Sequence, residues 1–473
     1  MTTEQYRKRS GFSIFLSFFK PHRGLFFLDM ACALVVSMID LAYPILSRYA
    51  MRTLLPQSAY RTFFTIMLIV LAAYALRSVL YFIITYWGHT FGIRVEADIR
   101  AALFGHMQEL GFEFFDRNRT GQLMSRMTLE EKIGQLNLLP GGDIVTGKEM
   151  DSPLAQLTRE GKLGAVLSLR DPVKIKALQQ IAVKKSRLGI PLLFGYDVIH
   201  GFQTVLPIPL AQACSWDTTA IRLGAEMSAR EATSQGIDWV YSPMVDIALD
   251  PRWGRIAEGS GEDPFLGSCI AKVMVEGLQG NYGPENAMAC LKHYALYGAV
   301  EAGRDYNTVD MSHVRMYNQY FPPYEAAVRA GVGSVMSSFN LVDGIPATAN
   351  PWLIHDVLRQ QWGFDGFLVT DYGSIGEMVI HGVGDLAACS AAALKSGTDM
   401  DMCANGYSAH LKQLVEQGKV SEAEVDQACR RVLEAKYKLG LFQNPYRFLN
   451  SKRAKTALYT PEHRAMAREI AAE

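Results

Sequence analysis

The chain has 473 residues, 49% of them apolar, with basic and acidic side chains in equal number, 47 of each. A polypeptide of that length and apolarity can bury cores for two or more domains, which excludes disorder, and zero net charge leaves no field that would draw nucleic acid. The balance is local, because fourteen basic against eight acidic residues precede Met127: a basic first segment and an acidic remainder suit a membrane piece joined to a soluble one.

Seven cysteines (Cys32, Cys214, Cys269, Cys290, Cys389, Cys403, Cys429) are scattered and form no C-x-x-C pair. Buried free thiols are expected, with no disulfide framework and no metal site. Residues 11–19 are apolar behind Arg7, Lys8 and Arg9, but Lys20, His22 and Arg23 interrupt the run and no small-x-small site follows, so no cleaved signal is expected. Residues 25–47 and 63–87 are mostly apolar. At a rise of about 1.5 Å per residue each can cross a hydrocarbon core of about 30 Å, which predicts an all-α two-span transmembrane hairpin. Asp29, Asp40 and Arg77 fall inside these runs, where each would cost about 2.5–3.5 kcal/mol at the bilayer centre. They are therefore expected near helix ends or facing other helices. Basic residues before the first span and after the second (Arg94, Arg100) outnumber those of the connecting loop (Arg48, Arg52, Arg61), which predicts both ends of the hairpin, and whatever follows, on the cytoplasmic side.

A polar helical stretch at 92–110 leads into Phe114-Phe115-Asp116-Arg117-Asn118-Arg119-Thr120-Gly121-Gln122-Leu123-Met124-Ser125-Arg126. This stretch closely resembles the FFD-x-x-x-TG-x-L-x-SR run of ABC exporter membrane domains. The resemblance covers about the first quarter of the chain and implies a partial transmembrane segment at 1–126, two helices plus the first intracellular loop. Such domains have six spans and work with an ATPase domain, so transport by this segment alone is not expected. Gly142-Asp143-Ile144-Val145-Thr146-Gly147-Lys148-Glu149 comes within one residue of the phosphate-cradling G-x-x-x-x-G-K-[ST] loop. Glu149 replaces the hydroxyl that would bind magnesium and sets a negative charge beside the phosphates, and no buried strand leads in. No nucleotide site is expected.

From Thr128 the pattern changes to alternating helix and strand. Thr128 with Glu131 predicts a capping box opening a helix that carries Ile133 and Leu136. Apolar runs recur at 163–169, 191–197, 239–247, 287–294, 334–340 and 366–371, with a weaker one at 398–402. Such repeating units predict an α/β fold with a parallel sheet buried on both faces. Seven visible strands and no glycine-rich dinucleotide turn favour a (β/α)8 TIM-like barrel over an open sheet. Asp197, Asp246, Lys292, His293, Asn340, Asp371 and Asp401 all fall at or near the C-terminal ends of these runs, the face that holds the active site in this fold.

These residues lie in further motifs. Met127-Thr128-Leu129-Glu130-Glu131-Lys132-Ile133-Gly134-Gln135-Leu136, Tyr196-Asp197-Val198-Ile199-His200-Gly201, Asp250-Pro251-Arg252-Trp253-Gly254-Arg255 with Glu258 and Gly261-Glu262-Asp263, Lys292-His293-Tyr294, and Val369-Thr370-Asp371-Tyr372-Gly373 follow one another in order. From Met127 onward the chain resembles the barrel domain of family 3 glycoside hydrolases, with bacterial periplasmic-type β-glucosidases the nearest likeness. The resemblance implies a barrel at 127–441 and, at 442–473, a connector to a C-terminal domain expected to be absent. It implies hydrolysis of terminal non-reducing β-D-glucosyl residues by a retaining mechanism with Asp371 as nucleophile. An ordinary aspartate is already ionised at neutral pH, so Asp371 needs positioning more than activation. Asp197, Arg252, Lys292 and His293 match positions that hold the terminal sugar's hydroxyls, Arg252 having Glu262 as an alternative partner. Met336, Phe339 and Tyr372 match positions lining the same pocket, and Trp253 and Arg255 are expected to be mainly structural. No acid/base residue is identified: two-domain members draw it from the second domain, and the Asp-Ser-His loop of single-domain members has no counterpart at 299–307. Activity is therefore expected to be impaired.

The resemblances together imply a β-glucoside or oligosaccharide substrate, no cofactor, and a bacterial inner-membrane location, although relatives are often periplasmic. Two alternatives stand beside this reading: an ABC transporter fragment with an idle barrel, and a membrane-tethered sugar-binding protein. The letters Ser-Arg-Met-Thr at the joint also leave open whether the join is natural or an assembly artefact.

Overall fold

The computed structural model describes residues 17–109, 123–142 and 152–473. Most of the exporter-like motif, 114–122, the phosphate-loop decoy beyond Gly142 and the first basic cluster, Arg7 to Arg9, lie outside the described residues. The chain divides into two compact units, Met1–Phe115 and Asp116–Glu473.

In the first unit α1 (Arg23–Tyr49) packs against α2 (Tyr60–Glu109). Both contain stretches long and apolar enough to cross a membrane, Lys20–Leu54 and Tyr60–Glu96, and these enclose the runs predicted from sequence. Phe27, Leu41, Ile45, Phe64, Leu71 and Phe82 are exposed, as a surface facing lipid would be. Arg77, on α2, faces α1 and finds its partner there, as expected. Its Nε and Nη2 donate to the Asp40 carboxylate at 2.7 and 3.2 Å, and its guanidinium lies 4.5 Å over the Tyr81 ring. Pairing the two charges removes much of the cost each would carry alone in an apolar layer.

The second unit is an eight-stranded parallel barrel. Its strands are β1 (Asn137–Pro140), β2 (Ala165–Leu167), β3 (Leu193–Tyr196), β4 (Trp239–Val240), β5 (Met288–Tyr294), β6 (Ser334–Ser337), β7 (Phe367–Val369) and β8 (Asp401–Met402). Neighbours in sequence are neighbours in the sheet, and β8 returns to pair with β1. A bridge between Val369 and Met400, with Thr370 N–H donating to Met400 O, closes the ring. Side chains alternate as the pleat requires. Leu138, Leu193, Trp239, Met288, Cys290, Met336, Phe367 and Val369 share one buried cluster, while Val240, Ala289, Leu291, Val335 and Leu368 join another with the surrounding helices. Strand β1 was not predicted. Its four residues follow the Leu129–Gln135 helix almost directly, so Leu136, Leu138 and Leu139 read as the helix's own apolar face. The predicted capping box is present, with Thr128 and Glu131 exchanging both hydrogen bonds.

Asp399 ties the closing strands to the helical layer. Buried beside β7, it accepts from Leu368 N–H, Arg359 Nη2 and Arg431 Nη1, each at 2.7 Å. Ahead of the barrel, Met124 and Met127 are buried in its cluster, and Arg187 donates to the Arg126 carbonyl, so residues flanking the sequence joint pack as barrel. Four cysteines are buried thiols as expected (Cys32, Cys290, Cys389, Cys429), whereas Cys214 is exposed and Cys269 and Cys403 are half-buried.

Candidate active site

The C-terminal ends of β3, β5, β6 and β7 converge on Asp371. This residue follows β7, and Gly373 behind it takes a left-handed conformation (φ 70°) that turns the chain into the Ser374–Ile380 helix. Asp371 does not cap that helix with its side chain. Its Oδ1 accepts from Tyr372 N–H at 2.7 Å, while Oδ2 is buried and has no hydrogen-bond partner. A carboxylate oxygen withheld from water and left unpaired by the protein is costly, and such groups mark functional positions.

His293 lies beside it, with Nε2 at 3.6 Å from Asp371 Oδ2. The imidazole is 1% exposed and wedged between two partners. Arg255 Nη2 approaches Nε2 at 3.0 Å, and Nδ1 is 2.8 Å from Asp246 Oδ2. A guanidinium can only donate and an ionised carboxylate can only accept, so Nε2 carries the lone pair and Nδ1 the proton. Burial pushes this histidine down to about 3 against the opposing pull of the Asp371 charge, with the Arg255 and Lys292 charges acting with burial, so its neutral form is favoured and Nε2 faces Asp371 without a proton. Asp246 is equally enclosed. Burial raises it to about 6, against hydrogen bonds from Tyr324 OH and His293 N–H.

Lys292, on the same strand, is buried, and its Nζ donates at 2.6 Å to Asp197, whose own side chain remains 55% exposed after β3. Arg252 lies apart from this cluster. It is 69% exposed and forks onto Asp250, two residues before it, which also accepts the Arg252 N–H. Glu262 is not its partner. Arg255 is the arginine that reaches the site: it pairs with Glu258 at 2.7 and 2.9 Å and touches His293. Burial alone would lower the Arg255 guanidinium, but Glu258 holds it above its usual range, and Arg255 in turn holds Glu258 low against its own burial. A local signal could have separated the two arginines, since an Asp two residues before an Arg N–H forms a turn that engages the nearer one.

Met336 is buried inside the barrel, and Phe339 packs against Tyr297 and Tyr306 with ring centroids at 5.8 and 4.5 Å. Tyr306 is held at the mouth because Thr308–Val309 pairs with Leu341–Val342 in a small three-stranded sheet. Sequence reading did not single it out. Tyr372 is 57% exposed. Trp253 is structural as expected, fully buried with Nε1 donating to Asp305 at 2.9 Å. Two of the seven strand-end residues bond to backbone groups. Asp401 accepts the N–H groups of Ala404, Gly406 and Tyr407 and so caps the Gly406–Glu416 helix. The Asn340 amide donates to backbone carbonyls of Ala295 and Leu341.

Residues 128–435 match the family described as "Glycosyl hydrolase family 3 N terminal domain", and residues 26–135 the "ABC transporter transmembrane region". A periplasmic beta-glucosidase of Salmonella typhimurium is 43% identical over 360 residues, covering 74% of this chain and 46% of its own length. A beta-xylosidase of Formosa agariphila is 36% identical over 322 residues, covering 63% of this chain and 44% of its own. The beta-glucosidase of Listeria innocua, solved with gluconolactone, aligns at 44% identity with a TM-score of 0.71 over 75% of this chain and 51% of that one. The chain thus spans about half the length of the relatives it matches. Family match, barrel topology and this structural likeness agree: the chain belongs to glycosyl hydrolase family 3.

Proposed function

We propose that the barrel acts on β-glucosides by a retaining mechanism, with Asp371 attacking the anomeric carbon. The observation that carries this is the buried, unpaired Oδ2 of Asp371 at a strand's C-terminal end, beside a histidine that cannot protonate it. Glucose, gluconolactone and laminaribiose, named with the Listeria structures, support a glucosyl unit as the bound sugar. Lys292 and Asp197 offer a donor and an acceptor to its hydroxyls, and Arg255 adds a second cation at the nucleophile.

A retaining site also needs a carboxyl about 5–5.5 Å from the nucleophile to protonate the leaving oxygen. Asp246 and Glu258, the carboxylates held around His293 and Arg255, are each committed to their partners. We therefore expect the 473-residue chain to favour substrates whose leaving group needs no proton, since a missing general acid costs about 10²- to 10⁴-fold. The purified chain should turn over an activated aryl β-glucoside slowly and cellobiose hardly at all, with azide or formate accelerating the aryl substrate by intercepting the glycosyl intermediate. Brisk cellobiose hydrolysis would overturn the impairment, and sugar binding without any turnover would favour a tethered sugar-binding protein.

We also propose that α1 and α2 anchor the chain in a membrane, with the barrel on the cytoplasmic side. The chain should pellet with membranes and resist carbonate extraction. Protease added to spheroplasts should spare the barrel; digestion from outside would reverse the orientation and agree with the periplasmic location in the Salmonella relative's name.

A further inference from the structure

Glu231 lies outside the sugar site, yet it joins three separated parts of the chain. It is 0% exposed, on the Thr218–Ser234 helix. Its Oε2 accepts from Gln203 N–H and Thr204 N–H, both at 2.8 Å, and its Oε1 accepts from Thr204 Oγ1 at 2.6 Å. The same Oε1 takes Tyr459 N–H and His463 Nδ1, each at 2.8 Å, from the far end of the chain. Because the carboxylate only accepts, His463 Nδ1 carries a proton. Burial alone would raise the Glu231 carboxyl, but these hydrogen bonds hold it below the usual range.

The loop so held begins at Asp197. It is pinched at its base, where Leu206 N–H donates to His200 O and Gly201 bridges Val205. Gly201 adopts φ 93°, and a Cβ there would lie 2.0 Å from Thr204 O. Leu206, at the loop's end, packs in one apolar cluster with Ile470 of the Pro461–Ala472 helix. Asp197 itself is half exposed, its side chain tied to Lys292.

We propose that Glu231 and the 459–472 segment form a strap that sets the 197–206 loop and so holds Asp197 against Lys292, making Glu231 and His463 positioning residues for sugar binding. This rests on Asp197 and Lys292 contacting the sugar, as proposed above. With five donors converging on Oε1 and Oε2 from the loop and the tail alone, a neutral amide at position 231 must set its own N–H groups against donors on one side.

The test is hydrogen exchange on the detergent-solubilised full chain, paired with gluconolactone titration. In Glu231→Gln, amides of 198–206 should exchange at least about tenfold faster, those of β3 and β5 should keep their rates, and gluconolactone should bind about tenfold more weakly. His463→Ala, which removes one tail donor, should show the same pattern to a smaller degree and covers the case in which Glu231→Gln does not fold. Lys292→Ala should lose gluconolactone without opening the loop. Unchanged loop exchange in both strap variants overturns the strap, and an opened loop with undiminished binding overturns its role in positioning Asp197. If the parent chain binds no gluconolactone, the sugar reading fails, while the exchange rates still decide whether the strap exists.

Discussion

Asp371→Ala is expected to abolish whatever aryl-glucoside hydrolysis the chain performs, a loss on the order of 10⁴-fold or more, because in the proposed mechanism Asp371 makes the covalent bond. The fold should survive. The Asp371 side chain is 13% exposed and lies 3.6 Å from a neutral His293 ring, so truncation unpairs only the Tyr372 N–H. Removing a carboxylate oxygen that has no partner also relieves a desolvation cost, and the melting midpoint should hold or rise. A 2-fluoro glucoside followed by mass mapping checks the assignment directly. The label should sit on Asp371, and a label on Asp246 or Glu258 would sink it. Azide should not rescue Asp371→Ala through a β-configured product, since an anion entering from the nucleophile's side yields the opposite anomer from one that intercepts the intermediate.

The second large effect separates two arginines only three residues apart. Arg255→Ala leaves Glu258 without its cation and His293 Nε2 without its donor in a partly desolvated site. Affinity for gluconolactone should fall by about 2–5 kcal/mol, the range for truncating one partner of a buried charged pair. Arg252→Ala breaks an exposed pair with Asp250, and such pairs contribute about 0–1 kcal/mol. Its inhibition constant should stay within about threefold of the parent's. The reverse ranking would mean that Arg252 turns inward when sugar binds. Circular dichroism melts belong beside the titrations, because Arg255 also lies over the Tyr297 ring at 5.7 Å and supports local packing.

Much of the architecture was legible because its signals are short in range. Twenty or more apolar residues report a span by length alone, and strand ends carrying Asp197, Lys292, His293 and Asp371 report the functional face of a barrel. Strand β1 escaped because four residues beside a helix carry too little period to tell a pleat from a turn. Asp401 illustrates the converse: its place at a strand end suggested chemistry, but its carboxylate is taken up by the N–H groups of Ala404, Gly406 and Tyr407.

By itself, the sequence determined two apolar spans, a (β/α)8 barrel, a joint between unlike segments, and a nucleophile candidate at Asp371. Local periodicity and composition suffice for the first three, and the resemblance to family 3 glycoside hydrolases supplies the last. Only the tertiary structure decided that Arg255 and not Arg252 meets His293, that Arg77 is matched by Asp40, and that Glu231 gathers donors from residues 203–204 and 459–463. The reason is physical. Which of several nearby charges is buried and paired depends on the direction each side chain takes from a folded backbone and on partners tens to hundreds of residues away, and neither quantity is present in the spacing of letters along the chain.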